Sequence, residues 1–309
     1  ITGYARAGST SNTIVLASTC VTNDNYYNYF YVIVNGQRNY ITAYQGSTRT
    51  ATVRDSWVDS IPQVGDYYKI VYNWSVKCTN GSMVNPINTH KQSFDQRNSF
   101  WDASYAKVPP FTLGVNQSLI STKSRKTETS DEMGPGILQT TTFTYGCSVL
   151  TCLAEQPSAT AFRPAYFGTN KTIHSSDNLH TELLQSVNKL SCPYSIVAYA
   201  DYVKRPWLDY IWNWVSRGNH PMENMPNYGR EIVRLIGTCG LMVNCNFTLG
   251  EKLPIVRGLT QIGIDNYYIS LVDPTVWTEA GGQSMGRVFP LRFAGLMLDH
   301  NGMKTITLE

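Results

Sequence analysis

The apolar pattern of this chain changes period once, and that change limits what it can fold into. Over residues 1–72 it consists of short β-branched and aromatic runs: Thr13-Ile-Val-Leu16, Tyr29-Phe-Tyr-Val-Ile-Val34, Asn39-Tyr-Ile-Thr-Ala-Tyr44, Thr50-Ala-Thr-Val53 and Tyr67-Tyr-Lys-Ile-Val71. Asn35-Gly36, Gln45-Gly46-Ser47 and Val64-Gly65-Asp66 separate the runs and supply the chemistry of tight hairpin connections. A small antiparallel barrel or sandwich is expected. Residues 73–172 are also strand-rich and are expected to form a second sandwich-like domain. Pro86, Pro109-Pro110, Gly134-Pro135-Gly136 and Pro157 interrupt them, Gly136 to Tyr145 alternates with period two, and the polar run from Ser121 to Glu132 predicts an exposed loop.

From Asp177 the period becomes helical. Leu179, Leu183, Leu184, Val187 and Leu190 fall at helical spacing, as do Ile232, Val233, Leu235, Ile236 and Leu241 within Gly229–Val243. A further helix is expected from Gly250, with Pro254 in its first turn, and another over Pro290–Leu298. The fold class is therefore multi-domain β plus α. Two small antiparallel β domains (barrel or sandwich) precede an α-helical hairpin array over residues 173–309, which is expected to continue past Glu309.

Composition bears on where such a chain works. Charged residues make up 15%, against roughly 25% in ordinary soluble domains, and hydroxyl and amide side chains take their place. The net charge is +3 and the longest basic run is Lys123-Ser-Arg-Lys126, which argues against nucleic acid as a partner. No apolar run reaches the roughly 18 residues of a membrane span. The start at Ile1, without a signal peptide, reads as a mature or trimmed product.

Seven cysteines, at 20, 78, 147, 152, 192, 239 and 245, lack zinc-site spacing, so no metal or other cofactor is expected. Disulfides Cys147–Cys152, Cys239–Cys245 and Cys20–Cys78 are expected, with Cys192 left over; buried free thiols are the alternative. Sequons at Asn73, Asn80, Asn116, Asn170 and Asn246 point the same way, to an oxidising, extracellular setting on a cell or virion surface.

Two polar stretches carry the candidate chemistry. His220-Pro-Met-Glu-Asn-Met-Pro-Asn-Tyr-Gly-Arg230 precedes one expected helix, and Trp277-Thr-Glu-Ala-Gly-Gly-Gln-Ser-Met-Gly-Arg287 follows the next. A helical hairpin between them would bring both to one end. His220, Asn224, Tyr228, Arg230 and Arg287 could then serve a polysaccharide lyase: arginine neutralising a uronate, His220 or Tyr228 abstracting the adjacent proton, Asn224 steadying the enolate. The same residues also suit a capped and packed loop. Asp209, Glu231 and Asp265 could supply a glycosidase's carboxylate pair, although ion pairs with Arg205, Arg230 or Arg257 account for them equally. Trp207, Trp212, Trp214 and Trp277 could stack on sugars, yet such aromatics also build cores. His174 and His180, with Asp177 between, lack a further metal ligand.

Residues 1–72 resemble a β module that recurs in tailed-phage virion and surface proteins. The matching pattern is Ala7-Gly-Ser9, Thr13-Ile-Val-Leu-Ala17, Gly36-Gln-Arg38, Ile41 through Val53, Trp57 and Asp66-Tyr-Tyr-Lys-Ile70. From Val84-Asn-Pro86 onward the chain resembles an uncharacterised family of large bacterial and phage-associated proteins with an α/α-toroid-like helical part. That resemblance rests on Trp101-Asp-Ala-Ser104, Phe162 through His174, Arg205-Pro-Trp-Leu-Asp209, His220 through Arg230, Gln261-Ile-Gly-Ile-Asp265 and Gly281 through Arg287. The first resemblance implies modular structural or attachment work, and the second carries over no activity. Where those relatives carry Gly-Gly-His and Gly-Arg-Lys, this chain has Gly281-Gly-Gln283 and Gly286-Arg-Val288, and glutamine cannot titrate. The expected function is that of a structural glycoprotein, outside the cell or on a virion. It would self-associate into, or decorate, a fibre or filament. A polysaccharide lyase, a glycoside hydrolase or a non-catalytic glycan-binding protein are the alternatives. Its partners would be further copies of itself and glycans.

Overall fold

The computed structural model describes residues 1–28, 30–72, 80–108, 110–124, 144–189, 194–277 and 282–307, apart from the side chains of Tyr72 and Trp214. Antiparallel β structure comes first and a helical region follows. The chain divides into two compact units, Ile1–Ser75 and Val76–Glu309.

In the first unit six strands run β1 (Thr2–Tyr4), β2 (Thr13–Val15), β3 (Phe30–Val34), β4 (Gln37–Gln45), β5 (Thr50–Val53) and β6 (Tyr67–Tyr72), laid out as β1-β6-β3-β4-β5-β2. Asn35 and Gly36 make the β3–β4 turn, both with positive φ (49° and 77°), the backbone that a two-residue hairpin needs. The first half of β4 pairs with β3 and the second half with β5, and a register shift between Ile41 and Ala43 separates the two. Such a bulge bends its strand. Val32, Val34, Ile41, Ala51, Val53, Ile70 and Ile14 consequently share one core. Among the described residues no ladder joins β1 to β2, so the sheet is not closed into the expected barrel; a single backbone bond, Arg6 N to Val15 O at 2.9 Å, ties those margins.

The second unit opens with a three-stranded antiparallel sheet, β7 (Asn80–Val84), β8 (Gln117–Ser124) and β9 (Thr144–Cys152), in that spatial order. Ser121–Ser124, expected as loop, belongs to β8. Residues 125–132 of that loop, and 136–143 of the expected strand, lie outside the described residues. Five helices follow among the described residues: α1 (Ile196–Val203), α2 (Gly229–Val243), α3 (Leu249–Ser270), α4 (Met285–Met297) and α5 (Asn301–Thr305). Among the described residues the expected helix from Leu179 is absent, and Leu190 lies outside them. Single 3-10 turns stand at Ser176–Asn178 and Thr181–Leu183, and Val187 instead exchanges backbone bonds with the segment after α2 (Val187 N to Asn244 O 2.9 Å, Asn246 N to Val187 O 2.8 Å).

A reciprocal capping box starts α3: Thr248 Oγ1 accepts from Glu251 N, and Glu251 accepts from Thr248 N at 2.8 Å. Pro254 falls one turn later than expected, and α4 starts at Met285 rather than Pro290. Helices α3 and α4 cross closely, because a Cβ at Gly263 would collide with Pro290 O. Ile255, Leu259, Ile262, Leu291, Ala294 and Ile236 fill the core between them and α2. A second cluster, with Met83, Phe94, Ile120, Tyr210, Ile269 and Trp277, joins the sheet to the helices.

The disulfide expectation is corrected here. Cys20, Cys147, Cys152, Cys239 and Cys245 are free thiols, while Cys78 and Cys192 lie outside the described residues. Cys147 and Cys152 sit on one strand, where five residues span roughly 16 Å, far beyond the Cα separation a disulfide allows. Cys239 is buried inside α2, whereas Cys245 follows that helix and is half-buried. Cys20 places its thiol 3.1 Å from the buried Tyr68 hydroxyl.

Candidate functional site

The α2–α3 hairpin does bring the two polar stretches together. Arg287, in the first turn of α4, points into the core toward Asp209 on the aromatic segment after α1. The pairing is bidentate, Nε to Oδ2 at 2.6 Å and Nη2 to Oδ1 at 3.0 Å. His220 Nε2 lies 2.7 Å from Asp209 Oδ1 and 3.5 Å from Arg287 Nη2. Gln283 completes the set, accepting from Arg287 Nη1 through its backbone oxygen (2.9 Å) and its Oε1 (3.0 Å). Surrounding groups orient every member. Tyr166 OH accepts from Asp209 N, Trp277 Nε1 donates to Asp209 O, and Asn266 Nδ2 donates to Arg287 O.

This constellation lies inside the protein. The side chains of Asp209, His220 and Arg287 are each at most 2% exposed. Burial alone would raise the Asp209 carboxyl, but Arg287 and His220 outweigh it and hold the group at about 2. Burial pushes His220 below the ordinary imidazole value, against the pull of Asp209. Its Nδ1 is 3.0 Å from Pro226 O, so both ring nitrogens are engaged by the protein. The charged groups are paired and the polar atoms satisfied, which is what burial of such groups demands. The geometry holds two loops to a helix and presents no group to a substrate.

The other residues named from the sequence stand apart from it. Asn224 is buried and donates to the carbonyls of Tyr202 (3.0 Å) and Arg205 (3.4 Å). Tyr228 is the N-cap residue of α2, its ring 5.7 Å from the exposed Arg230 guanidinium. Arg230 pairs with Glu231 at 2.8 Å. Each of the three carboxylates is paired with an arginine of its own: Asp265 is clamped by Arg163, Asp209 by Arg287, and Glu231 by Arg230 and Arg234. Trp207 and Trp277 are core residues, Trp212 is half-buried against His90, and the Trp214 side chain lies outside the described residues. Among the described residues no group of three His, Cys, Asp or Glu could hold a metal. The sequon residues Asn80, Asn116, Asn170 and Asn246 are all exposed; Asn73 lies outside the described residues.

An open groove lies between α1 and α2, and buried residues hold two of its lining segments by their carbonyls. His220 holds the carbonyl of Pro226, and Asn224 and Trp207 Nε1 (3.0 Å) both hold the carbonyl of Tyr202; Pro226 and Tyr202 line the groove. The cavity is about 810 Å³ and also carries Tyr194, Tyr199, Glu231 and Arg234. Tyr199 and Tyr202, three apart on α1, were legible as one helix face, but nothing in the sequence distinguished the half-buried Tyr199 and exposed Tyr202 from the buried Trp207 beside them. No family model, curated protein or solved structure matches the chain. Among the described residues no helix is long and apolar enough to cross a membrane.

Proposed function

We propose that this chain is a non-catalytic structural protein of an extracellular or particle surface, and that copies of it associate through β9. The observation that carries this reading is the strand itself. β9 is nine residues long, Thr-Tyr-Gly-Cys-Ser-Val-Leu-Thr-Cys, without a charge or a proline. Among the described residues it pairs only with β8; on its other margin just the carbonyls of Thr144 and Tyr145 are used, by Met222 N and Glu223 N. Leu150 is 63% exposed on it. Natural proteins shorten, charge or cover such edges, and one left long and uncharged is a template for another strand. The sealed Asp209–His220–Arg287 network supports a non-enzymatic reading, since no step can use groups that substrate cannot reach. The sequons and the low charge support the extracellular setting, and the free thiols do not. The resemblance to virion modules is in keeping with it.

Light scattering on the intact chain tests the proposal. The wild type is expected above monomer mass and Leu150→Lys at monomer mass, with unchanged circular dichroism. A monomeric wild type across the accessible concentration range removes the reading, and so does a Leu150→Lys variant that still associates.

A further inference from the structure

The groove between α1 and α2 is built as a binding site, and we propose that its ligand is an acidic polysaccharide. One wall is a run of three tyrosines packed edge to face, Tyr194 to Tyr199 at 5.6 Å and Tyr199 to Tyr202 at 6.2 Å between ring centres. Tyr194 is 51% and Tyr202 42% exposed. Rings set this way offer apolar patches with hydroxyl tips, which suits sugar rings that carry C–H groups on their faces and hydroxyls around their edges. Among the described residues the Tyr199 and Tyr202 hydroxyls bond to no other side chain or backbone group, so both are free for a ligand.

The opposite wall is α2, where Glu231, Arg234 and Thr238 follow one another at spacings of three and four. Arg230 and Arg234 each bond Glu231 at 2.8 Å. Arg230 stands beside the groove and Arg234 in its lining, so that two guanidiniums meet one carboxylate and α2 carries one surplus positive charge here. Lys204 beside α1 is cancelled by Asp201 at 2.6 Å. The surplus guanidinium is the group that recognises a carboxylate, in a planar two-point manner. A volume of about 810 Å³ falls in the range of preformed ligand sites. The walls are also held in advance, since Tyr202 and Pro226 are tied by their carbonyls to buried Asn224 and His220. That lowers the ordering cost of binding. A uronate-bearing chain matches both walls at once: rings for the tyrosines, carboxylate for Arg234.

The inference does not depend on association through β9. Titration calorimetry on the intact chain uses polygalacturonate, with dextran as the uncharged glycan and polyglutamate as the acidic polymer without sugar rings. Polygalacturonate is expected to bind most tightly, and to weaken as salt is added. Tyr202→Ala and Arg234→Gln are each expected to lower its affinity about tenfold, the scale of one lost contact. Arg234→Gln should leave the melting temperature unmoved, since its ion pair with Glu231 is exposed, whereas Tyr202→Ala also loses the ring contact with Tyr199, so Tyr202→Phe, which keeps that contact, is its control. Tyr202→Phe retains most of the affinity. The proposal is overturned if polygalacturonate does not bind, if both variants bind it as the wild type does, or if polyglutamate binds equally well. That last result would mean that charge alone is recognised.

Discussion

At the scale of single residues, the consequential choice is an ion pair with no water around it. Removing one partner of such a pair leaves the other charge buried and uncompensated, at a cost of about 3–5 kcal/mol. Arg287→Ala should therefore lose most of the stability of the second unit, measured by urea unfolding. Acid should act in two windows. The Asp209 carboxyl is held at about 2, below its unfolded value of about 3.9. Its contribution is complete above that unfolded value and fades as pH falls toward 2. His220 is also lowered, so the unfolded chain takes up its proton first, and stability begins to fall once pH drops below about 6.5. His174, likewise lowered by burial, adds to the same window. Asp265 opposes the upper window at its acid end, because burial raises its carboxyl and the fold takes up that proton above the unfolded value of about 3.9. His220→Gln should flatten, without abolishing, the stability slope between pH 6.5 and 4; an unchanged slope would mean that the ring is already doubly protonated in the fold.

At the scale of elements, Thr248→Ala tests how far local signals hold α3. The capping box satisfies donors that a helix start otherwise leaves open, and its loss should cost about 1 kcal/mol in the same assay. Helix α2 was legible to its end residues, because its buried face repeats with the helix and Gly229 follows a loop rich in proline and asparagine. The Asn35-Gly36 hairpin was legible for a comparable reason, since few residue pairs accept two positive φ angles. The Leu179–Leu190 run misled, because its leucines repeat at helical spacing while its backbone partners lie near Asn244, far away in sequence. Cysteine spacing misled as well: proximity in sequence becomes separation in space once the chain is extended. Of the candidate site, the meeting of His220 with Arg287 followed from the hairpin. Its burial did not, since polarity reads as surface until the partner that neutralises it is known.

At the scale of the whole molecule, the two units have cores that share no residue, one from Ala5 to Ile70 and the others from Met83 onward. Scanning calorimetry should then resolve two transitions, and Arg287→Ala should lower only the one belonging to Val76–Glu309. One merged transition that shifts as a whole would mean that the units unfold together. The sheet margins carry a last consequence. The far side of β7 is already occupied, with Met83 bridged to Ala106 and Lys107 N bonded to Ser82 O. In the first unit the margin strands β1 and β2 are three residues long. Among the described residues β9 is thus the one long margin left open past Tyr145, and the proposed pairing through that edge alone would give a subunit a valence of one. Two such edges satisfy each other about a twofold axis and leave nothing to recruit a third copy. If copies associate by the proposed route, they would stop at a pair, and a filament bearing this protein would be coated by it rather than made from it.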